Sequence, residues 1–245
     1  SLGHWTTYKP DGYDDEEEVY KKHIVINGGL ITGTCECAGV YVGGGAKCTL
    51  ESGTIAGNVA WDDGGGVYVA SGSFTMNGGA VSYNTAKSFG GGVSVFGGKF
   101  DMDGGTISGN TASNDGGAVY VGEAASFNMI NGTITGNSAK NGGGVYTIDG
   151  AINITDSTIS GNSASQAGGG VENNGGSLFM EDSTISGNSA KNGGGVIAQY
   201  NASYMKGGTI SGNSASEAGG GVYITNMASF EMTGGSIESN HVTEN

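Results

Sequence analysis

Apolar and polar positions alternate along this chain in short bursts. In TIS the isoleucine faces one way and its threonine and serine the other. In VYV two valines share a face opposite a tyrosine, and in FxM the phenylalanine and methionine share one. A period of two over a few residues predicts β-strand, and the glycine, asparagine and serine between bursts predict turns. No segment carries the 3.6-residue period of an amphipathic helix, and glycine inside helices would cost about 1 kcal/mol per position.

The bursts recur in phase. TISGN stands at 106–110, 158–162, 184–188 and 209–213, with TIAGN, AVSYN, TITGN and SIESN as variants. The closing asparagines are Asn58, Asn84, Asn110, Asn137, Asn162, Asn188, Asn213 and Asn240, spaced 25 to 27 residues apart. The valine after each glycine run gives a second series, Val40, Val67, Val93, Val119, Val145, Val171, Val196 and Val222, with spacings of 25 to 27. Phe74/Met76, Phe100/Met102, Phe127/Met129, Leu178/Met180 and Phe230/Met232 give a third. Three strands and three corners in about 26 residues make one coil of an all-β solenoid. Each strand then pairs in parallel with its copy one repeat later, about 4.8 Å away. A lone coil cannot bury its inner face, so stability comes from its neighbours.

This predicts a β-helix repeat domain over residues 24–245, with about eight or nine coils, after an N-terminal cap or tail over residues 1–23. Glu17–Lys21 and Glu18–Lys22 favour a helical turn in that segment. Trp5, Tyr8, Tyr13 and Tyr20 supply apolar area to cover the first coil; a partly ordered acidic tail is the other reading. The start carries no initiator methionine and no signal peptide, so the sequence reads as a mature or excised segment. The repeat runs to Asn240, so the natural protein is expected to continue past Asn245.

Composition then narrows the partners. Glycine makes up 52 of 245 residues and proline one, which excludes collagen and, given the repeat, disorder. The net charge of −14 argues against nucleic acid. No apolar run approaches the ~20 residues of a membrane span, so no membrane insertion by this segment is expected. The glycine runs allow positive-φ corners. The asparagine row is expected to stack inside the rod as a structural ladder of amide hydrogen bonds.

GGTISGNTASNDGGAVYV at 104–121 and its neighbours resemble the right-handed parallel β-helix repeats of bacterial and archaeal adhesin-like surface proteins. They also resemble the repeats of chlamydial polymorphic outer-membrane proteins. GGTI at 104–107 and 207–210, GGAV at 78–81 and GGSI at 234–237 match the GGAI-type tetrad of the latter. The resemblance implies a right-handed single-stranded parallel β-helix. It also implies an extracellular, cell-surface-attached role without catalysis, as an adhesin segment or stalk binding a host or environmental glycan or a surface protein. Fold alone leaves a carbohydrate-active enzyme open, and more remotely an ice-binding protein.

Several side chains could carry chemistry. The outward positions of the valine strand hold Tyr41, Tyr68, Tyr120, Tyr146 and Tyr223, interrupted by Ser94, Glu172 and Ile197. Such a row could bind glycan rings, or simply form a cross-strand ladder. Threonine and serine rows such as Thr106/Ser108 and Thr133/Thr135 form the flat array that suggests ice binding, although threonine is also an ordinary strand residue. Glycoside hydrolysis needs two facing carboxylates; Asp149 and Glu172 are the best pair, with a solvated loop acid as the plain alternative. There is no arginine, the base typical of β-helical pectate lyases. Asp62, Asp63 and Asp115 precede glycine corners and could bind calcium weakly, but Asn192 and Glu217 break any regular row. Cys35, Cys37 and Cys48 admit a metal site with His4 or His23, one disulfide, or free thiols; no metal and no cofactor is expected.

Overall fold

The computed structural model describes residues 23–33 and 35–243. The expected cap or tail therefore lies outside the described residues, except for His23. Within them every regular element is a β-strand, and every strand pairing is parallel.

Three sheets run along the rod. One has 16 strands and combines the FxM and TIS segments, the second has eight valine strands, and the third has nine short strands that follow the asparagines. One coil reads Val93–Val95, Lys99–Asp103, Thr106–Ser108 and Thr111–Ala112. In the first full coil the FxM and TIS segments form one unbroken strand, Ala46–Ala56, whereas a short corner divides them later, glycine-containing in most coils and Asp-Ser at 156–157 and 182–183. The coil is three-sided as the repeat predicts. The strand after each asparagine, only two to five residues long, has too little alternation to be read from sequence.

Register follows from the constant repeat. Val93 pairs with Val119, Phe100 with Phe127 and Ile107 with Ile134, so like stacks on like. These positions are fully buried and form one continuous core. Phe74, Phe100 and Phe127 stack at 5.0 and 4.9 Å between ring centroids. Parallel in-register pairing thus turns a modest apolar content into a dry column.

The glycine runs serve this stacking. Gly116 sits at φ +70, in the left-handed region that glycine enters freely. A Cβ on Gly91 would lie 2.5 Å from the carbonyl oxygen of Gly117 in the next coil, so the coils could not approach.

Candidate functional site

The eight repeating asparagines sit at the corner after the TIS strand, where the chain must turn. Those from Asn58 to Asn213 are buried, and Asn240 is half-buried in the last coil. Each side-chain Nδ2 donates to Oδ1 of the next asparagine along the rod, at 2.9–3.0 Å from Asn58 to Asn240. The same Oδ1 accepts the backbone N–H of the preceding asparagine, at 2.9 Å for Asn84 to Asn110. The second Nδ2 proton goes to a carbonyl one coil back, as from Asn110 to Val81 at 3.0 Å. A turn that would otherwise bury unpaired backbone groups is thereby satisfied from coil to coil.

The tyrosine row is not the open aromatic stripe that alternation alone suggests. Tyr41 is 66% exposed and Tyr68 and Tyr223 are half-buried, but Tyr120 and Tyr146 are only 7% and 6% exposed. The cause is the segment before each glycine corner, which lies against the outer face of the valine sheet. A Cβ on Gly142 would come within 2.6 Å of the Tyr146 Cβ. Phe89 stacks on Tyr120 at 4.7 Å, and Tyr120 stacks on Tyr146 at 5.7 Å. Phe89 belongs to the coil of Ser94, which is fully buried with its Oγ unpaired, and its ring stacks on the tyrosine next in the row. Burial raises both phenols to about 12.

Glu172 follows Tyr146 in this row and is 4% exposed. Its Oε1 accepts from Gln199 Nε2 at 2.8 Å, while Oε2 has no hydrogen-bond partner. Loss of water pushes its carboxyl up to about 8, with Asp115 adding to the shift and the Gln199 bond opposing it. Glu172 is therefore largely a neutral acid at pH 7. Asp149 is exposed, at the corner after its valine strand, with φ +55. It is not among the charges acting on Glu172; Asp115 is. The pair expected to flank a sugar is thus divided between a buried sheet face and an exposed corner.

The remaining candidates are scattered. Asp115 accepts from Asn141 at 2.8 Å, Asp63 accepts the Phe89 amide at 3.0 Å, and Glu217 pairs with Lys191 at 3.0 Å. Among the described residues no three His, Cys, Asp or Glu side chains converge as a metal would need. Cys48 is a buried thiol facing the core, Cys37 is exposed, and the Cys35 side chain lies outside what is described. The threonines and serines at 106/108, 133/135, 158/160, 184/186 and 209/211 are half-buried and stacked in register.

The alternation did not single out the outer face of the FxM strands. Its central positions run Asp101, Asn128, Asn153, Phe179 and Tyr204 in register along the rod. Asn128 donates to Asp101 at 2.9 Å, and Asn153 to Asn128 at 2.8 Å. Tyr204 is 43% exposed, and Phe179 is half-buried beside it. Along this face lies a shallow open depression of about 360 Å³, lined by Ser126, Ala151 and Ser177 with Asp149 and Asn201 at its rim. The signal in the sequence was two adjacent aromatics at one outward position, hidden because each stands next to the inward Leu178 or Ser203.

The family model of the Chlamydia polymorphic membrane protein repeat matches residues 104–122 and 182–199. Each match spans the TIS strand, the ladder asparagine, the short strand, the glycine corner and the valine strand, which are the parts that stack coil on coil. No curated protein and no solved structure matches the chain. Among the described residues, no helix is long and apolar enough to cross a membrane. The chain is a parallel β-helix that carries repeats similar to those of the chlamydial polymorphic membrane proteins.

Proposed function

We propose that this chain is a non-catalytic surface module of a bacterial or archaeal cell, an adhesin segment or stalk that binds glycan or protein along a side face. The observation that carries the reading is the uninterrupted stack of coils. Successive strands stand about 4.8 Å apart along each side, and the depressions on them around Ala151 and around Ser138 are shallow and open. Shallow sites are individually weak, so binding gains strength from many contacts or many copies. The match to a membrane-protein repeat supports the surface setting. The burial of Glu172 away from Asp149 weighs against paired-carboxylate hydrolysis.

The test measures attachment and turnover together. The purified chain is layered on immobilised polysaccharides and on cells, and the supernatant is assayed for released sugars. Retention without sugar release is expected. Sugar release by the wild type that is lost in Asp149→Asn/Glu172→Gln would overturn the reading in favour of an enzyme.

A further inference from the structure

The outer face of the FxM strands differs from the other faces in combining three kinds of group. The Asp101–Asn128–Asn153 row offers carboxylate and amide hydrogen-bonding groups in line with the rod axis. The same row continues without a break into Phe179 and Tyr204, whose Cα positions are paired across the sheet. Beside it, small residues leave the depression whose floor is Ser126, Ala151 and Ser177. The Asp149 carboxylate leans over Gly175, where any Cβ would collide with it, and so stands over that depression. Asn201 joins it at the rim; its Nδ2 donates to the Gly175 carbonyl, which fixes the rim from one coil to the next.

From this juxtaposition we propose that the face from Asn128 to Tyr204 binds a neutral, linear polysaccharide lying along the rod. The proposal rests on the side-face adhesive reading above and names its ligand class. A sugar ring has an apolar C–H face and a hydroxyl rim. The first suits an aromatic surface, and the second suits amides and carboxylates that can accept and donate in pairs. A linear chain would meet the aromatics at one end of the row and the amides at the other.

Charge selects the neutral class. The lysines at the two ends of this stretch are engaged, Lys99 with Asp101 at 2.6 Å and Lys206 with Glu181 at 2.7 Å, and Lys47, exposed at the position of Lys99, stands two coils farther off. Asp149 adds a negative charge at the rim, on a chain of net charge −14. A uronate-rich or sulfated polysaccharide would meet repulsion on the stretch from Asn128 to Tyr204, whose outward positions hold no lysine.

The test is affinity electrophoresis of the whole chain through gels containing a neutral xylan, a glucomannan or a β-glucan, with polygalacturonate as the anionic control. At least one neutral polymer should retard the wild type, and polygalacturonate should not. Tyr204→Ala should weaken retardation about tenfold, roughly the loss of one good contact, and Asn153→Ala should weaken it less. Tyr204→Phe, which keeps the ring, should stay close to wild type, and unchanged melting of all three variants confirms that they fold. The proposal is overturned if none of the neutral polymers retards the chain, if Tyr204→Ala migrates like wild type, or if polygalacturonate binds more tightly. Attachment to cells without retention by any neutral polymer would sink this inference and leave the adhesive reading standing. Release of sugars would sink the adhesive reading itself.

Discussion

Two rows of side chains run the length of this rod, one residue per coil, and they differ sharply in what they tolerate. The asparagine row holds the same residue in eight successive coils, from Asn58 to Asn240. The row outside the valine sheet changes from tyrosine to serine, glutamate and isoleucine and back. Each asparagine from Asn84 to Asn213 is at once acceptor for the coil before and donor to the coil after, so replacing one leaves its neighbours' polar groups unpaired. On the outer row two of the changes are met from beside: Phe89, from the coil of Ser94, stacks on the next tyrosine, Tyr120, and Gln199 bonds one oxygen of Glu172. A position in a chain of mutual hydrogen bonds is fixed by its neighbours, whereas a position defined by packing alone can be repaired from beside it.

The largest effect is expected inside. Asn110→Ala leaves the Asn84 backbone N–H and one Asn84 Nδ2 proton without partners and removes one of the donors to the Val81 carbonyl, which keeps its place in the strand ladder. It should cost roughly 2 kcal/mol in urea denaturation, at about 1 kcal/mol per buried unpaired group. A cost below 1 kcal/mol would remove the distinction between the rows.

The next effect is pH-dependent and belongs to Glu172. Its folded-state carboxyl titrates near 8, against an ordinary value of 4.5. Between those values the folded state holds a proton that the unfolded chain releases, so stability from this group falls as pH rises from about 4.5 to about 8 and levels off above. Asp115 and Tyr146 are the titratable groups facing it, and Gln199 is its neutral partner. Glu172→Gln should flatten that decline and, at pH 8, stabilise the rod by on the order of 2 kcal/mol. Parallel pH–stability curves for mutant and wild type would show that the carboxyl is not held neutral.

Phe89→Ala sharpens the comparison from the outer side. It removes the stack on Tyr120 and should cost about 1 kcal/mol. Tyr120, 7% exposed in the wild type and expected to resist iodination there, should then become accessible to it. Adding Ser94→Tyr should recover most of the lost stability, because it sets a ring beside Tyr120 from within the row. Failure of that rescue would mean that Phe89 acts elsewhere. The smallest effect belongs to Ser108→Ala, half-buried on the outer face of its strand, which should stay within about 0.5 kcal/mol.

The same contrast explains what could be read from the sequence. Coil length, parallel pairing, the inward Ile, Val, Phe and Met rows and the in-phase asparagines were legible, because stacking repeats each requirement in every coil. The accessibility of the tyrosines was not. It depends on the segment before the glycine corner, whose equivalent positions run Asp115, Asn141, Ala167, Asn192 and Ala218 with no common chemistry. Nor could sequence decide that Asp149 and Glu172 fall on different sides of a corner. The Phe179–Tyr204 pair was overlooked because the apolar periodicity marks the inward neighbours of both residues, so an outward aromatic reads as part of the strand pattern. Residues 1–22 lie outside the described structure, so the expected cap has no counterpart to set beside it.

The most direct test of the account is amide hydrogen exchange on Asn110→Ala, read residue by residue. The Asn84 N–H donates to the Asn110 side chain at 2.9 Å, whereas the Asn188 N–H donates to Asn213 at 2.9 Å, three coils beyond the substitution. The account predicts that Asn84 loses protection by at least about tenfold, the equivalent of one buried hydrogen bond, relative to Asn188 in the same sample. Equal protection at both amides, or a loss shared evenly along the rod, would contradict the claim that the asparagines bind each coil to the next.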